Sequence, residues 1–95
     1  MKKLPLNPDL LVVAERVIWF QSPAEALQDP IHFMAYLLTY GTHEDVGIVR
    51  RYISDDDMRQ ALDHAPPGIF DPRSWAYWHL MLDYPTTPPF PKRFP

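Results

Sequence analysis

Hydrophobic positions recur along this chain with the three-to-four-residue spacing of helix faces. Leu10, Val13, Ala14, Val17 and Ile18 form the first stripe, one side of a helix by its i, i+3, i+4, i+7 pattern. The β-branched residues Val12, Val13, Val17 and Ile18 leave a strand reading open for the same segment. Residues 23–28 predict a short helix or a single turn. Residues 31–40, IHFMAYLLTY, are apolar almost all round, which predicts a central buried helix ending at Gly41 in the C′ position. Val46, Val49 and Ile53, with Ile48 and Tyr52 beside them, mark a fourth helix. Met58, Ala61, Leu62 and Ala65 mark a fifth, closed by Pro66-Pro67-Gly68. The last runs from about Pro72 to Asp83, with Trp75, Trp78, His79 and Leu82 on a stripe facing the core.

The polar punctuation between these stripes is consistent with them. Asn7-Pro8, Ser22-Pro23, Asp29-Pro30 and Asp71-Pro72 each place a good capping residue before a proline. At the first helical position proline loses no helical hydrogen bond and its φ is already helical. Ser22-Pro-Ala-Glu25 also fits a capping box. Thr42-His-Glu-Asp45 and Ser54-Asp-Asp-Asp57 start helices without proline, with carboxylates in the first turn where the helix dipole favours them. These starts predict an all-α fold: a compact bundle of five or six short helices over residues 1–84, with its core on residues 31–40 and 75–82. A proline-rich tail, 85–95, is expected to be extended, PPII-like and mobile.

Composition narrows the function classes. The chain has 95 residues, 46% hydrophobic and 14% aromatic, enough for a core. With no cysteine, disulfides and thiolate metal sites are excluded. A formal net charge of −3 argues against holding nucleic acid by bulk positive charge, although a local basic patch stays open. Met1-Lys2-Lys3 resembles the start of a signal peptide, but Pro5, Pro8, Asp9, Glu15 and Arg16 interrupt the apolar run. The reading is a soluble, cytoplasmic protein with no membrane partner.

Candidate chemistry is sparse. No two of His32, His43, His64 and His79 stand at the i, i+4 spacing of a helical metal grip, and Gly41, Gly47 and Gly68 make no phosphate loop. No cofactor or metal is expected. Arg59 with His64, or Arg73 with His79, match the Arg/His spacing of small helical ribonuclease toxins, and two matches in one short chain show how unselective that spacing is. Asp55, Asp56 and Asp57 look like a carboxylate cluster, but consecutive helical side chains diverge by about 100° and do not converge on one ion. Residues 43–65 with Arg50, Arg51 and Arg59 fit a helix-turn-helix, whose second helix would present three aspartates to a DNA backbone. The tail stretch Pro88-Pro-Phe-Pro-Lys-Arg93 matches a PxxPx(K/R) ligand of aromatic-grooved domains, or simply ends the last helix and lies loosely on the surface.

The densest segment is "GIFDPRSWAYWHLML", residues 68–82. A helix apolar on nearly every side is hard to bury completely in so small a domain, and Trp and Tyr dominate protein interfaces. Either the neighbouring short helices wrap this helix fully, or one face is left for a partner; on the second reading Trp75, Tyr77, Trp78 and Met81 are the candidate interaction surface, with Tyr77 and Met81 on the side away from the core stripe. The segments Leu38-Thr-Tyr-Gly-Thr-His-Glu-Asp45, Arg51-Tyr52 and Ser74-Trp-Ala-Tyr-Trp78 resemble a family of small uncharacterised bacterial helical proteins often encoded beside abortive-infection-like nucleotidyltransferase toxins. That resemblance implies an antitoxin-like or accessory partner and brings no catalytic residues. The leading expectation is a non-enzymatic protein-interaction module that binds a protein partner or itself. A DNA-binding regulator using residues 43–65 and a ribonuclease toxin are the alternatives.

Overall fold

In the computed structural model, which describes residues 1–91, six helices follow one another. They are α1 (Pro8–Val17), α2 (Pro23–Gln28), α3 (Pro30–Tyr40), α4 (His43–Val49), α5 (Asp55–Asp63) and α6 (Pro72–Met81). No strand occurs among the described residues, so the β-branched first stripe belongs to a helix. Every N-cap is the residue read from the sequence: Asn7, Ser22, Asp29, Thr42, Ser54 and Asp71 each accept from a backbone N–H three residues on. Reciprocal capping boxes form at Thr42/Asp45 and Ser54/Asp57. At Ser22 only half of the expected box is present: its hydroxyl accepts from Glu25 N, and no Glu25 side-chain bond returns.

The C-terminal ends fall short of the hydrophobic stripes. α4 stops at Val49, leaving Ile53 beyond its end, and α5 stops at Asp63, before Ala65. Ala65 precedes Pro66, and a residue before proline is driven out of the α region. Gly68 then takes φ 89°, a left-handed conformation that a side chain would resist. Gly41 is a different case. It is the C-cap of α3 rather than C′, with an ordinary φ of −69°. Its lack of a side chain matters for space: a Cβ there would meet the Leu37 carbonyl oxygen at 2.6 Å.

α3 lies at the centre, packed on α1, α2, α4, α5 and α6. Phe33, Met34, Ala35, Leu37 and Leu38 are buried against Leu10, Val13 and Ile18 of the α1 segment, Val49, Met58, Ala61, Leu62, Trp75 and Trp78. The expectation of burial all round is corrected on one side, where His32 and Tyr36 are part-exposed and Tyr40 is exposed. The Cα radius of gyration, 12.6 Å, is close to the ~12 Å of a compact chain of this length. No helix among the described residues is long and apolar enough to cross a membrane.

Residues 85–91 carry no helix. They return across α6, pinned where the Trp75 indole N–H donates to the Pro88 carbonyl at 3.0 Å and the Phe90 ring stands edge-on to Trp75. The PxxPx(K/R) pattern ends on Lys92 and Arg93, which lie outside the described residues.

Candidate functional site

Asp71 caps α6 by accepting from Ser74 N at 2.6 Å, and Pro72 supplies the first helical residue. From there one side of the helix turns inward. Trp78 donates its indole N–H to the Leu38 carbonyl at 2.8 Å. That carbonyl is available because Thr42 N, its partner had α3 continued, donates instead to Asp45 Oδ2 at 3.1 Å. His79 is 1% exposed, and its Nδ1 lies 2.7 Å from the Trp75 carbonyl. A carbonyl only accepts, so Nδ1 carries the proton.

α6 ends in a Schellman turn. Asp83 takes φ 63°, Asp83 N donates to the Leu80 carbonyl at 3.2 Å, and Tyr84 N donates to the His79 carbonyl at 3.0 Å. The reversal brings the Tyr84 ring onto His79, centroids 4.6 Å apart. Its hydroxyl donates to Asp63 Oδ1 at 2.8 Å and lies 3.1 Å from the Arg59 carbonyl oxygen. Burial, the bond to Asp63 and the Asp63 charge push the Tyr84 phenol from 10.0 up to about 12.

The other side of α6 faces outward. Tyr77 is 45% exposed, Met81 53% and Leu80 74%. Beside them, two open cavities of about 280 and 130 Å³ lie along the seam between α4 and α6. Both are lined by His43, Val46, Tyr77 and Trp78, so they form one groove. Arg73 lines one end, and Arg50, Gly47 and Met81 line the other. A Cβ built on Gly47 would meet nothing within 4 Å, which leaves that wall low. Of the four residues expected at the interaction surface, Tyr77, Trp78 and Met81 come together here, with the nearly buried Trp78 as floor. Trp75 shares the buried side of α6 with Trp78 but turns away from this groove, toward Pro88 and Phe90.

No family model matches this chain, and no curated protein or solved structure does either.

The residues considered for catalysis do not converge. Arg59 donates to the Leu82 carbonyl at 3.1 Å and to Asp56 at 2.8 Å, tying α5 to the end of α6. His64 is an exposed C-cap. Arg73 is exposed at the α6 start, whereas His79 is buried. Arg50 pairs with Asp55 at 2.7 Å, so two of the three arginines of the 43–65 segment are engaged by its own aspartates. No group of three or more His, Asp or Glu side chains among the described residues is placed to hold a metal ion.

Among the described residues Asp45 is the one buried carboxylate. It receives the Thr42 amide and pairs with Arg16 of α1, joining α1 to the α3–α4 corner. Burial by itself raises its carboxyl. Hydrogen bonds from Arg16 and from the Thr42 backbone and side chain, together with the Arg16 charge, outweigh that and leave it below its ordinary 3.8.

A second exposed aromatic surface went unread in the sequence. Trp19 is 82% exposed, meets Phe20 edge-on at 5.6 Å, and Phe20 meets Tyr36 at 5.5 Å. His32 and Tyr40 flank Tyr36 at 5.0 and 5.9 Å. The signal was present as the i, i+4, i+8 series His32, Tyr36, Tyr40, but the apolar content of residues 31–40 masked it.

Proposed function

We propose that this protein is a non-enzymatic protein-interaction module that receives a helix of a partner protein in the α4–α6 groove. The observation that carries this reading is the outward side of α6. Tyr77, Leu80 and Met81 are presented to solvent beside a groove floored by Trp78 and Val46. Large apolar side chains grouped around a concave seam are the material of interface hot spots. An amphipathic helix fits such a seam by burying its apolar face. Arg73 at one end favours an acidic residue flanking that face, chiefly through association rate and register, whereas Arg50 at the other end is paired with Asp55. This accords with the antitoxin-like or accessory role implied by the family that the Leu38–Asp45 and Ser74–Trp78 segments resemble.

The test is co-purification at native expression level, comparing the wild-type chain with the Tyr77→Lys, Met81→Lys double variant. The expected result is a stoichiometric protein partner held by the wild type and lost from the variant. Circular dichroism of the variant should retain the wild-type helical signal. Association should weaken with added salt, because the flanking charge pair is exposed. The proposal is overturned if the wild type recovers no stoichiometric partner or if the variant retains it.

A further inference from the structure

On the other side of α6, the tail shows what a second groove accepts. Leu62, Asp63 and Ala65 from the end of α5, with Trp75 and His79 from α6, line a cavity of about 300 Å³ closed by Pro88, Pro89 and Pro91. Trp75 is nearly buried. Phe70 meets its ring edge-on at 5.3 Å, and the tail adds the Pro88 carbonyl, 3.0 Å from the indole nitrogen, and the Phe90 ring, 6.2 Å away and nearly perpendicular.

The chemistry of this contact is general. Proline has no N–H and fixes φ, and a residue before proline is pushed into the extended region. Thr87, Pro88 and Phe90 each precede a proline, so the segment is held extended with carbonyls that no backbone N–H of its own can satisfy. An indole N–H is a donor only, and when buried it needs an acceptor. The groove thus offers what an extended proline segment lacks: a fixed donor, an aromatic edge, and an apolar floor from Leu62 and Ala65. Aromatic-lined grooves recognise proline-rich peptides by the same combination.

We infer that the Trp75 groove is a binding site for an extended proline-rich segment of the pattern Pro-Pro-aromatic-Pro, and that the chain's own residues 88–91 occupy it in cis. The attachment is slight, one neutral hydrogen bond and one aromatic edge contact. It is maintained because the short connection from Leu82 keeps the segment at an effective concentration in the millimolar range. A partner's segment enters when the cis segment leaves, so the tail sets the threshold for binding. This site is separate from the α4–α6 groove and does not depend on the function proposed for that groove.

The test uses the full chain and a synthetic peptide of sequence TTPPFP, that of residues 86–91. The probe is the indole N–H resonance of Trp75, identified as the signal lost in Trp75→Phe. Phe90→Ala removes the edge contact from the cis segment while leaving the groove intact. The peptide should shift the Trp75 resonance saturably, with an apparent affinity about tenfold higher for Phe90→Ala than for wild type, since the competent open state is then more populated. The peptide TTPPAP should leave the resonance in place. Two outcomes overturn the inference: a Trp75 resonance unmoved by millimolar TTPPFP in Phe90→Ala, or equal affinity for wild type and variant.

Discussion

Trp75, Trp78, His79 and Leu82 on one side of α6, and Ala76, Tyr77, Leu80 and Met81 on the other, come from the same ten or so residues and are similarly apolar. The first set is buried and the second exposed. Hydrophobicity alone does not separate them. What separates them is the polar handle and its partner. Each tryptophan can be buried because a carbonyl awaits its N–H: Leu38 for Trp78 and Pro88 for Trp75. Leu38 is free to accept because the Thr42/Asp45 capping box has taken the amide that would have bonded it. Among the described residues none hydrogen-bonds the Tyr77 hydroxyl, and the side chain is half-exposed. The inner side therefore carries stability, and the outer side is left exposed.

The sharpest way to break this contrast is truncation on the two sides. Trp78→Ala removes a core ring and leaves the Leu38 carbonyl unpartnered, at a cost of about 3–5 kcal/mol. That is a large part of the total for a small domain. Tyr77→Ala, one residue away, should cost less than about 1 kcal/mol. Urea unfolding of both variants decides it, and equal losses would mean that the outer side is also core.

How much of this could be read from residues alone follows from the range of each interaction. All six N-caps were legible, because a cap bonds an amide three residues away and its logic is local. The C-terminal ends were less so: two stripes run on to Ile53 and Ala65 and the last helix is expected to reach about Asp83, while α4 stops at Val49, Pro66 ends α5 and the Schellman turn at Asp83 ends α6. That Tyr77 and Met81 share a side of α6 was legible from the 3.6-residue period. The groove they border was not, since His43, Val46 and Gly47 come from α4, some thirty residues earlier. The separation of Trp75 from Trp78 was equally hidden, because their acceptors lie 13 and 40 residues away. Burial of Asp45 depends on Arg16, 29 residues away, so a capping carboxylate read only as a favourable dipole contact turns out to join two helices.

A second prediction sharpens the inner side through pH. The Tyr84 phenol, which closes that side against Asp63 and Arg59, is raised from 10.0 to about 12. A raised acid pKa means that the folded state favours the protonated form. Its contribution is fully present below pH 10 and is lost as pH rises from about 10 to 12. Relative to Tyr84→Phe, the wild type should lose on the order of 2 kcal/mol across that window. Denaturant midpoints measured at pH 9 and pH 12 for both proteins give the difference directly. Parallel loss in the two would show that the phenol is not held by this contact.

The turn that carries the chain from one side of α6 to the other provides a smaller, opposite effect. Asp83 occupies a left-handed conformation, φ 63°, which costs an ordinary side chain roughly 1–2 kcal/mol and glycine nothing. Part of the gain from Asp83→Gly is offset by the extra freedom of glycine in the unfolded chain. The net expectation is a stabilisation of about 0.5–1 kcal/mol, read as a rise of roughly 2–8 °C in Tm. A fall in Tm would mean that the Asp83 side chain makes a stabilising contact of its own.

The smallest effects on stability belong to the outer side, and their smallness is the point of the comparison. Tyr77→Lys, Leu80→Lys and Met81→Lys, each made singly, exchange an exposed apolar side chain for a charged one on a helix that lysine suits. Each should move unfolding stability by no more than about 0.5 kcal/mol. Where a protein tolerates a lysine at an apolar position, that side chain was not holding its own fold together. A loss of several kcal/mol at Tyr77 or Met81 would place it in this protein's core and remove the physical basis for the α4–α6 groove as an interface. The three positions also rank themselves. Tyr77 and Met81 line the groove, whereas Leu80 stands outside it, so a partner seated there should be displaced by lysine at the first two and weakened least at Leu80.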